Sequence, residues 1–106
     1  MSPPSPPLIG VILMREKIIE KRLVKEVQEH GGWCLKFVSP GLDGVPDRLV
    51  LMPYGKLAFV EVKAPNKKPR PLQVKRMKDL ETLGFKCFVV DEIEKIGEII
   101  DEIQAI

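Results

Sequence analysis

The chain has 106 residues, of which 44% are hydrophobic, 30% charged and 6% aromatic, and its formal net charge is +2. This length and composition are typical of one globular domain and exclude a disordered low-complexity chain. Two cysteines without C-x-x-C spacing exclude a disulfide framework and argue against a zinc site. No apolar run approaches the roughly 20 residues that cross a bilayer, and the N-terminus lacks the basic start of a signal peptide. We therefore expect a cytoplasmic protein without a membrane partner.

The first segment of the chain is rich in proline. Four prolines stand among the first seven residues, and no charged residue precedes Arg15. Proline fixes φ and lacks a backbone N–H, so it disfavours both helix and central strand. We predict a proline-rich flexible tail over residues 1–13 and a single domain over residues 14–106, with Met14 as its start.

The remaining segments alternate between helical and strand patterns. Helical spacing of apolar residues predicts helices, and runs of β-branched and aromatic residues bounded by glycine and proline predict strands. In chain order the predicted elements are a helix over 15–30, strands over 33–38, 48–52 and 57–63, a helix over 71–83, a strand over 85–90 and a terminal helix over 92–106. This order predicts an α/β fold with a mixed central sheet flanked by helices, in which the second and third strands form a hairpin.

Charge is distributed unevenly along the chain. Residues 91–106 carry six acids and one base, whereas residues 63–78 carry seven bases and no acid. A positive cluster of this kind is typical of a surface that binds a polyanion. An ordinary solvated loop and helix face is the alternative, and charge alone does not decide between them.

Glu20 lies inside the apolar stripe of the first predicted helix. A carboxylate that faces a core costs free energy unless it is paired or binds a metal ion. The alternative is a long side chain that reaches solvent at the edge of the stripe, and both interpretations stay open. Glu16 lies on the same side, but we place it in the exposed first turn, where an acid complements the helix dipole.

Four further polar residues stand out. Glu61 and Lys63 share one face at the end of the most apolar strand, because side chains alternate along a strand. Asp47 follows Pro46 directly before the second strand, and Gln73 stands at the centre of the apolar stripe of the next helix. Each signal is weak alone, since a solvent-facing pair, a loop aspartate and a glutamine that satisfies backbone groups of the first turn are common.

Together these positions form a specific pattern. The segment from Gly41 to Asp91 holds G-x-P-D, then E-x-K after thirteen intervening residues across the predicted hairpin, then a basic loop and a helix that begins near a glutamine. This pattern resembles the PD-(D/E)xK nucleases and, more narrowly, the virus-type replication-repair nuclease (VRR-NUC) domain. The resemblance covers residues 15–91 and implies a restriction-endonuclease-like α-β-β-β-α-β core, to which the C-terminal helix is added.

The resemblance implies a Mg²⁺-dependent endonuclease that hydrolyses DNA phosphodiester bonds, with Mn²⁺ as a substitute ion and no small-molecule cofactor. Asp47, Glu61 and the backbone carbonyl of Val62 can hold one ion, because magnesium takes oxygen ligands. Glu20 is implied as a further acid that serves this ion or a second one. Lys63 is implied as the group that positions or deprotonates the attacking water, and Gln73 as a support of the site.

The basic cluster gains a function under this hypothesis. Its side chains would contact DNA phosphates, and shape-selective binding of branched DNA such as a four-way junction would follow, in a bacterial or phage-infected cell. The candidate residues are Lys36, Lys67, Lys68, Arg70, Lys75, Arg76 and Lys78. Two alternatives stay open: a non-catalytic DNA-binding or assembly subunit on the same fold, and an α/β protein that binds no nucleic acid.

A homodimer is expected, because one domain offers a single site whereas cleavage of both strands of a duplex requires two. The isoleucines of residues 92–106 span a wide arc and are the candidate interface, with Trp33 and Phe85 beside them. The alternative is that these isoleucines all pack within one subunit.

Overall fold

The computed structural model describes residues 8–106. Its elements, in chain order, are helix α1 (Leu8–Glu29), strands β1 (Trp33–Lys36), β2 (Arg48–Met52) and β3 (Lys56–Val62), helix α2 (Pro71–Thr82), strand β4 (Lys86–Val90) and helix α3 (Ile96–Gln104). Short 3-10 turns at Pro53–Gly55 and Ile93–Lys95 precede β3 and α3. The predicted order of elements is confirmed. Within residues 8–106, no helix is long and apolar enough to cross a membrane.

The four strands form one mixed sheet in the order β1-β2-β3-β4. β2 is antiparallel to both neighbours, whereas β3 and β4 are parallel, so α2 belongs to the crossover between them. The predicted hairpin of β2 and β3 is confirmed. The connection between them has three residues, Pro53–Gly55, of which Tyr54 and Gly55 have positive φ angles of 68° and 73°.

One face of the sheet packs against α1 and α3 and forms the core. Alternate strand residues point to this face, where they meet apolar residues of the two helices. The cluster comprises Ile19, Leu23, Val27, Cys34, Val50, Met52, Ala58, Val60, Val62, Val90, Ile96, Ile99, Ile100 and Ile103. The four isoleucines of α3 are therefore buried within one subunit, and the hypothesis that they form a dimer interface is wrong.

Helix α1 begins earlier than the sequence predicts. Residues 8–13 of the predicted tail form its first turns, whereas residues 1–7 lie outside the described part of the chain. The prolines misled the prediction because all four precede Leu8, and only Gly10 disfavours helix in the segment that follows. Since the helix starts at Leu8, Glu16 stands in its third turn and not in an exposed first turn.

The loop between β1 and β2 is fastened to α2. Nε of Arg76 donates a hydrogen bond to the backbone carbonyl of Asp43 at 2.7 Å. Gly44 has a φ of +82°, and a Cβ there would stand 2.7 Å from Cγ of Leu72. A larger residue would be strained and would collide, so glycine lets this loop run close to α2 before it reaches Asp47.

Candidate active site

Asp47, Glu61 and Lys63 meet at one end of the sheet. Asp47 directly precedes β2 and Lys63 directly follows β3, and these two strands are antiparallel neighbours, so the start of one lies beside the end of the other. The backbone N–H of Val62 donates a hydrogen bond to Oδ2 of Asp47 at 3.0 Å. This bond holds the aspartate against β3.

Glu61 is buried in this site. Its side chain is 0% exposed, and as a carboxylate it has no hydrogen-bond partner for either oxygen within residues 8–106. Burial, then a hydrogen bond with Asp47 and the charge of that group, raise the pKa of Glu61 to about 9, against the opposing charge of Lys63. The hydrogen bond between the two acids requires a proton, because two carboxylates have no donor. Glu61, with its pKa of about 9, therefore retains a proton at neutral pH unless a cation replaces it.

The pair of Asp47 and Glu61 fits a divalent cation. A buried carboxylate without a partner, next to a second carboxylate, offers the oxygen ligands that magnesium prefers. No group of three or more histidine, cysteine, aspartate and glutamate side chains in the described part of the chain is arranged to hold a metal. An ion here would therefore take its remaining ligands from the backbone, the substrate and water.

Glu16 lies near this pair, although its sequence position predicted an exposed first turn of the helix. Burial is the main cause that raises the pKa of Glu16, followed by the charge of Asp47, while Lys63 lowers it. These interactions place Glu16 on the side of α1 that faces the site. Because the helix was predicted to start at residue 15, Glu16 was expected in an exposed first turn and not beside the site. Its spacing of four residues from Glu20, which puts both acids on one helix face, could have identified it.

Glu20 is paired with a buried arginine. Nε of Arg48 donates to Oε2 of Glu20 at 3.2 Å, and Nη1 of Arg48 donates to the backbone carbonyl of Cys34 at 3.2 Å. Arg48 is 9% exposed and directly follows Asp47, so this bridge ties α1 and β1 to the start of β2. Pairing explains the position of Glu20 without a metal ion, and its role as a metal-binding acid stays a prediction.

Alanine substitutions distinguish the roles of the two acids of α1, Glu16 and Glu20. Glu16→Ala is expected to lower cleavage about tenfold or more while the free energy of unfolding changes by less than about 0.5 kcal/mol. Glu20→Ala is expected to lower the free energy of unfolding by about 1–3 kcal/mol, because it removes the charged partner of Arg48. Denaturant unfolding and cleavage rates of both variants test this. Intact stability with lost cleavage in Glu20→Ala would instead make Glu20 the acid of the site.

Gln73 is buried at the start of α2. Its Oε1 accepts a hydrogen bond from the backbone N–H of Arg70 at 2.8 Å, so the amide oxygen satisfies the end of the helix. Only the NH₂ group is left to donate toward a substrate or water. The interpretation that Gln73 satisfies a backbone group of the first turn is therefore correct for its amide oxygen. A role of Gln73 in the catalytic site stays a prediction.

The predicted DNA-contacting bases differ in their surroundings. Nζ of Lys75 lies 3.1 Å from Oδ2 of Asp79, and Nη1 of Arg76 lies 3.5 Å from the same oxygen. The other candidates are exposed and form no ion pair within residues 8–106; they are Lys36, Lys67, Lys68, Arg70 and Lys78. These five side chains can bind phosphates without first breaking an ion pair in the protein.

Known proteins are similar to this chain in fold and in sequence. A solved structure described as a VRR_NUC domain has a TM-score of 0.77 and 31% sequence identity, and the match covers 82% of this chain and 95% of that chain. A curated relative named "Putative nuclease p44", from Acyrthosiphon pisum secondary endosymbiont phage 1, is 54% identical over 79 residues, which are 74% of this chain and 85% of the relative. No protein-family model matches the chain.

The mixed sheet with its flanking helices defines a protein of the restriction-endonuclease-like class. Within that class, the chain belongs to the VRR-NUC family of nucleases. The resemblance seen in the sequence, and the fold that it implied, are thereby confirmed.

Proposed function

We propose that this chain is a Mg²⁺-dependent endodeoxyribonuclease that is selective for branched DNA such as a four-way junction. One observation carries the proposal: Glu61 is fully buried, unpartnered as a carboxylate and adjacent to Asp47, with Lys63 beside it. Such a carboxylate destabilises a protein that has no use for it. In a site that binds a cation and a phosphodiester, this carboxylate has a use, because it can hold the cation.

Each residue of the site has a role in this proposal. Asp47 and Glu61 would hold the cation together with the backbone carbonyl of Val62, and Mn²⁺ would substitute for Mg²⁺. When bound, the cation supplies charge that polarises a phosphoryl oxygen and lowers the pKa of water. Lys63 carries a positive charge next to Glu61 and Glu16, where it can position the attacking water and stabilise charge on the phosphoryl oxygens.

Cleavage of a defined set of DNA substrates tests the proposal. Four-way junction, flap, nicked duplex and plain duplex DNA of equal length and sequence content are incubated with the full chain in Mg²⁺, Mn²⁺ or EDTA. We expect cleavage in Mg²⁺ and Mn²⁺ only, with the junction cut fastest. Binding without cleavage would favour a non-catalytic subunit, and neither binding nor cleavage would contradict the proposal altogether.

The exposed bases next to the site would bind phosphates with little sequence preference. We predict that the triple variant Lys67→Gln, Lys68→Gln and Arg70→Gln lowers the slope of log K against log salt by up to about 0.9 for each phosphate that the protein no longer neutralises. Fluorescence anisotropy of labelled junction DNA over a salt series measures this slope.

Three exposed lysines elsewhere on the chain form the matched control: Lys21, Lys25 and Lys86. Replacing them with glutamine changes the net charge equally, and the slope is expected to stay within error of the wild-type value. Equal slopes for both triple variants would place the bound DNA elsewhere on the surface.

A homodimer belongs to the same proposal. The chain has one pair of Asp47 and Glu61, whereas cutting opposite strands of a junction requires two sites, and a two-fold dimer relates them as the strands are related. Since the isoleucines of α3 are buried in the core, they would not form the contact surface between the two copies.

A further inference from the structure

One buried arginine joins three elements beside the candidate active site. Nε of Arg48 donates to Oε2 of Glu20 on α1 at 3.2 Å, and Nη1 donates to the backbone carbonyl of Cys34 on β1, also at 3.2 Å. Arg48 itself belongs to β2 and directly follows Asp47. A single side chain therefore connects α1 and β1 to the residue next to Asp47.

Helix α1 has little other support at this point. Ile19 is its first buried residue, and every residue from 8 to 18 is exposed or only partly buried. Within residues 8–106, Glu20 is also the only side chain of α1 that forms a hydrogen bond or ion pair with the sheet. The core and this bridge therefore both begin to hold α1 at residues 19 and 20, and the turns before them depend on that attachment.

Glu16 stands one turn before the bridge. Residues four apart lie on one face of a helix, so Glu16 and Glu20 share a face of α1. Burial raises the pKa of Glu16, and the charges of Asp47 and Lys63 act on it as well. Glu16 in turn acts on the pKa of Glu61, although burial of Glu61 is the main cause there. Because one residue corresponds to about 100° around a helix, a small rotation of α1 would turn Glu16 away from these groups.

Stability alone does not account for this bridge. The side chains of Arg48 and Glu20 are 11% and 28% exposed, so both charges lose much of their hydration. A buried ion pair is often no more stabilising than apolar side chains of similar volume in the same place. Its hydrogen bonds, however, are directional, so they permit only a narrow range of geometries. The bridge is therefore better explained by the position that it imposes on α1.

We propose that Arg48 is a positioning residue: through Glu20 it holds Glu16 toward the cation site. Glu16 would add negative charge beside the cation, directly or through a water molecule, while Arg48 would contact neither the cation nor the DNA. Glu20 would orient α1 and would not itself bind metal. The inference rests on the proposed function for the cation, but it does not depend on DNA cleavage.

A double variant that removes both charges separates position from stability. Arg48→Met with Glu20→Leu leaves neither partner unpaired, so the protein should fold with a melting temperature close to that of the wild type. Amide hydrogen exchange of the metal-free protein is then measured along α1. We expect exchange over residues 12–20 to become at least about tenfold faster, while residues 23–29 keep their protection, because the core still holds the later turns.

Binding of Mn²⁺ without DNA connects this change to the site, with the free ion measured by electron paramagnetic resonance. Glu16→Ala is expected to weaken Mn²⁺ binding about tenfold, because a nearby carboxylate attracts a divalent ion even through water. The double variant should weaken it to a similar degree. Adding Glu16→Ala to the double variant should weaken it no further, since the effects of residues that act through one another are not additive.

Glu20→Gln distinguishes a positioning role from a metal-binding role of this residue. Glutamine keeps an oxygen that can accept from Nε of Arg48, but it provides no charge for a cation. The variant should therefore bind Mn²⁺ more tightly than the double variant. Binding as weak as that of the double variant would make Glu20 itself the acid of the site and would overturn the inference.

Arg22→Met with Glu26→Leu is the matched control, because this ion pair lies on the same helix, 3.3 Å apart and away from the site. It should bind Mn²⁺ within about twofold of the wild type. Unchanged exchange over residues 12–20 in the double variant would overturn the inference, as would effects of Glu16→Ala and the double variant that multiply. A wild type that binds no Mn²⁺ would contradict the proposed function, and the exchange pattern alone would then decide whether Arg48 positions α1.

Discussion

Replacing Glu61 with glutamine is expected to lower Mg²⁺-dependent cleavage at least about 100-fold without unfolding the protein. Glutamine keeps the shape of the buried side chain, and its NH₂ group can donate to Asp47 as protonated Glu61 does. An amide, however, provides no negative charge for a cation. Asp47→Asn and Lys63→Met should reduce cleavage to a similar degree, because each removes one charge from the same group.

The comparison requires that binding and chemistry be measured separately. Ca²⁺ binds oxygen ligands in a looser geometry than Mg²⁺, so junction DNA should bind in Ca²⁺ without being cut. Under those conditions the affinity measures binding alone, and the single-turnover rate in Mg²⁺ measures the chemical step.

Glu26→Gln is the matched control, since Glu26 lies on α1 and its Oε2 pairs with Nε of Arg22 at 3.3 Å, away from the site. Its cleavage rate should stay within about twofold of the wild type. Full cleavage by Glu61→Gln, with Glu26→Gln also active, would contradict the nuclease proposal for this site.

The proximity of Asp47 and Glu61 could be predicted from the sequence because their geometry is local. Asp47 directly precedes one strand of a hairpin and Glu61 lies in the other, and a hairpin fixes its own register, so their proximity follows from the spacing. The α/β fold could also be predicted from the sequence, since strand alternation and helical spacing repeat along the chain.

Other features depend on how distant elements pack. Arg48 and Glu20 are 28 residues apart, and their pairing follows from where α1 crosses the start of β2. The wide isoleucine arc of α3 has the same origin, because that helix packs against α1, β3 and β4 at once. A pattern within one helix shows how much apolar surface it carries, but it does not show how many neighbours will cover that surface.

Without metal, the protein is expected to lose stability as pH rises from about 5 to 9. The pKa of Glu61 is raised from 4.5 to about 9 in the folded chain, first by burial and then by Asp47. Below pH 4.5 the folded and unfolded chains both hold this proton. Between the two values only the folded chain keeps it, so the free energy of unfolding falls by at most about 1.4 kcal/mol per pH unit. The raised pKa of Glu16 acts in the same direction.

A divalent cation should reverse this dependence. It binds the ionised carboxylates of the folded chain, so its stabilisation grows as the proton leaves, and the gap between melting temperatures in Mg²⁺ and EDTA should widen toward pH 9. For a domain of this size, 1 kcal/mol corresponds to about 4–8 °C in melting temperature. Melting curves in EDTA and in Mg²⁺ at pH 5.5, 7 and 8.5 therefore resolve the effect.

Glu61→Gln separates the titration of this residue from the rest of the protein. The variant cannot ionise at the buried position, so its melting temperature in EDTA should depend less on pH than that of the wild type, and at pH 8.5 it should be the more stable of the two. Added Mg²⁺ should stabilise the wild type and leave the variant nearly unchanged, because one of the two charged ligands is gone. Parallel pH profiles for the two proteins in EDTA would show that Glu61 ionises without cost, and the buried carboxylate would then give no reason to expect a cation.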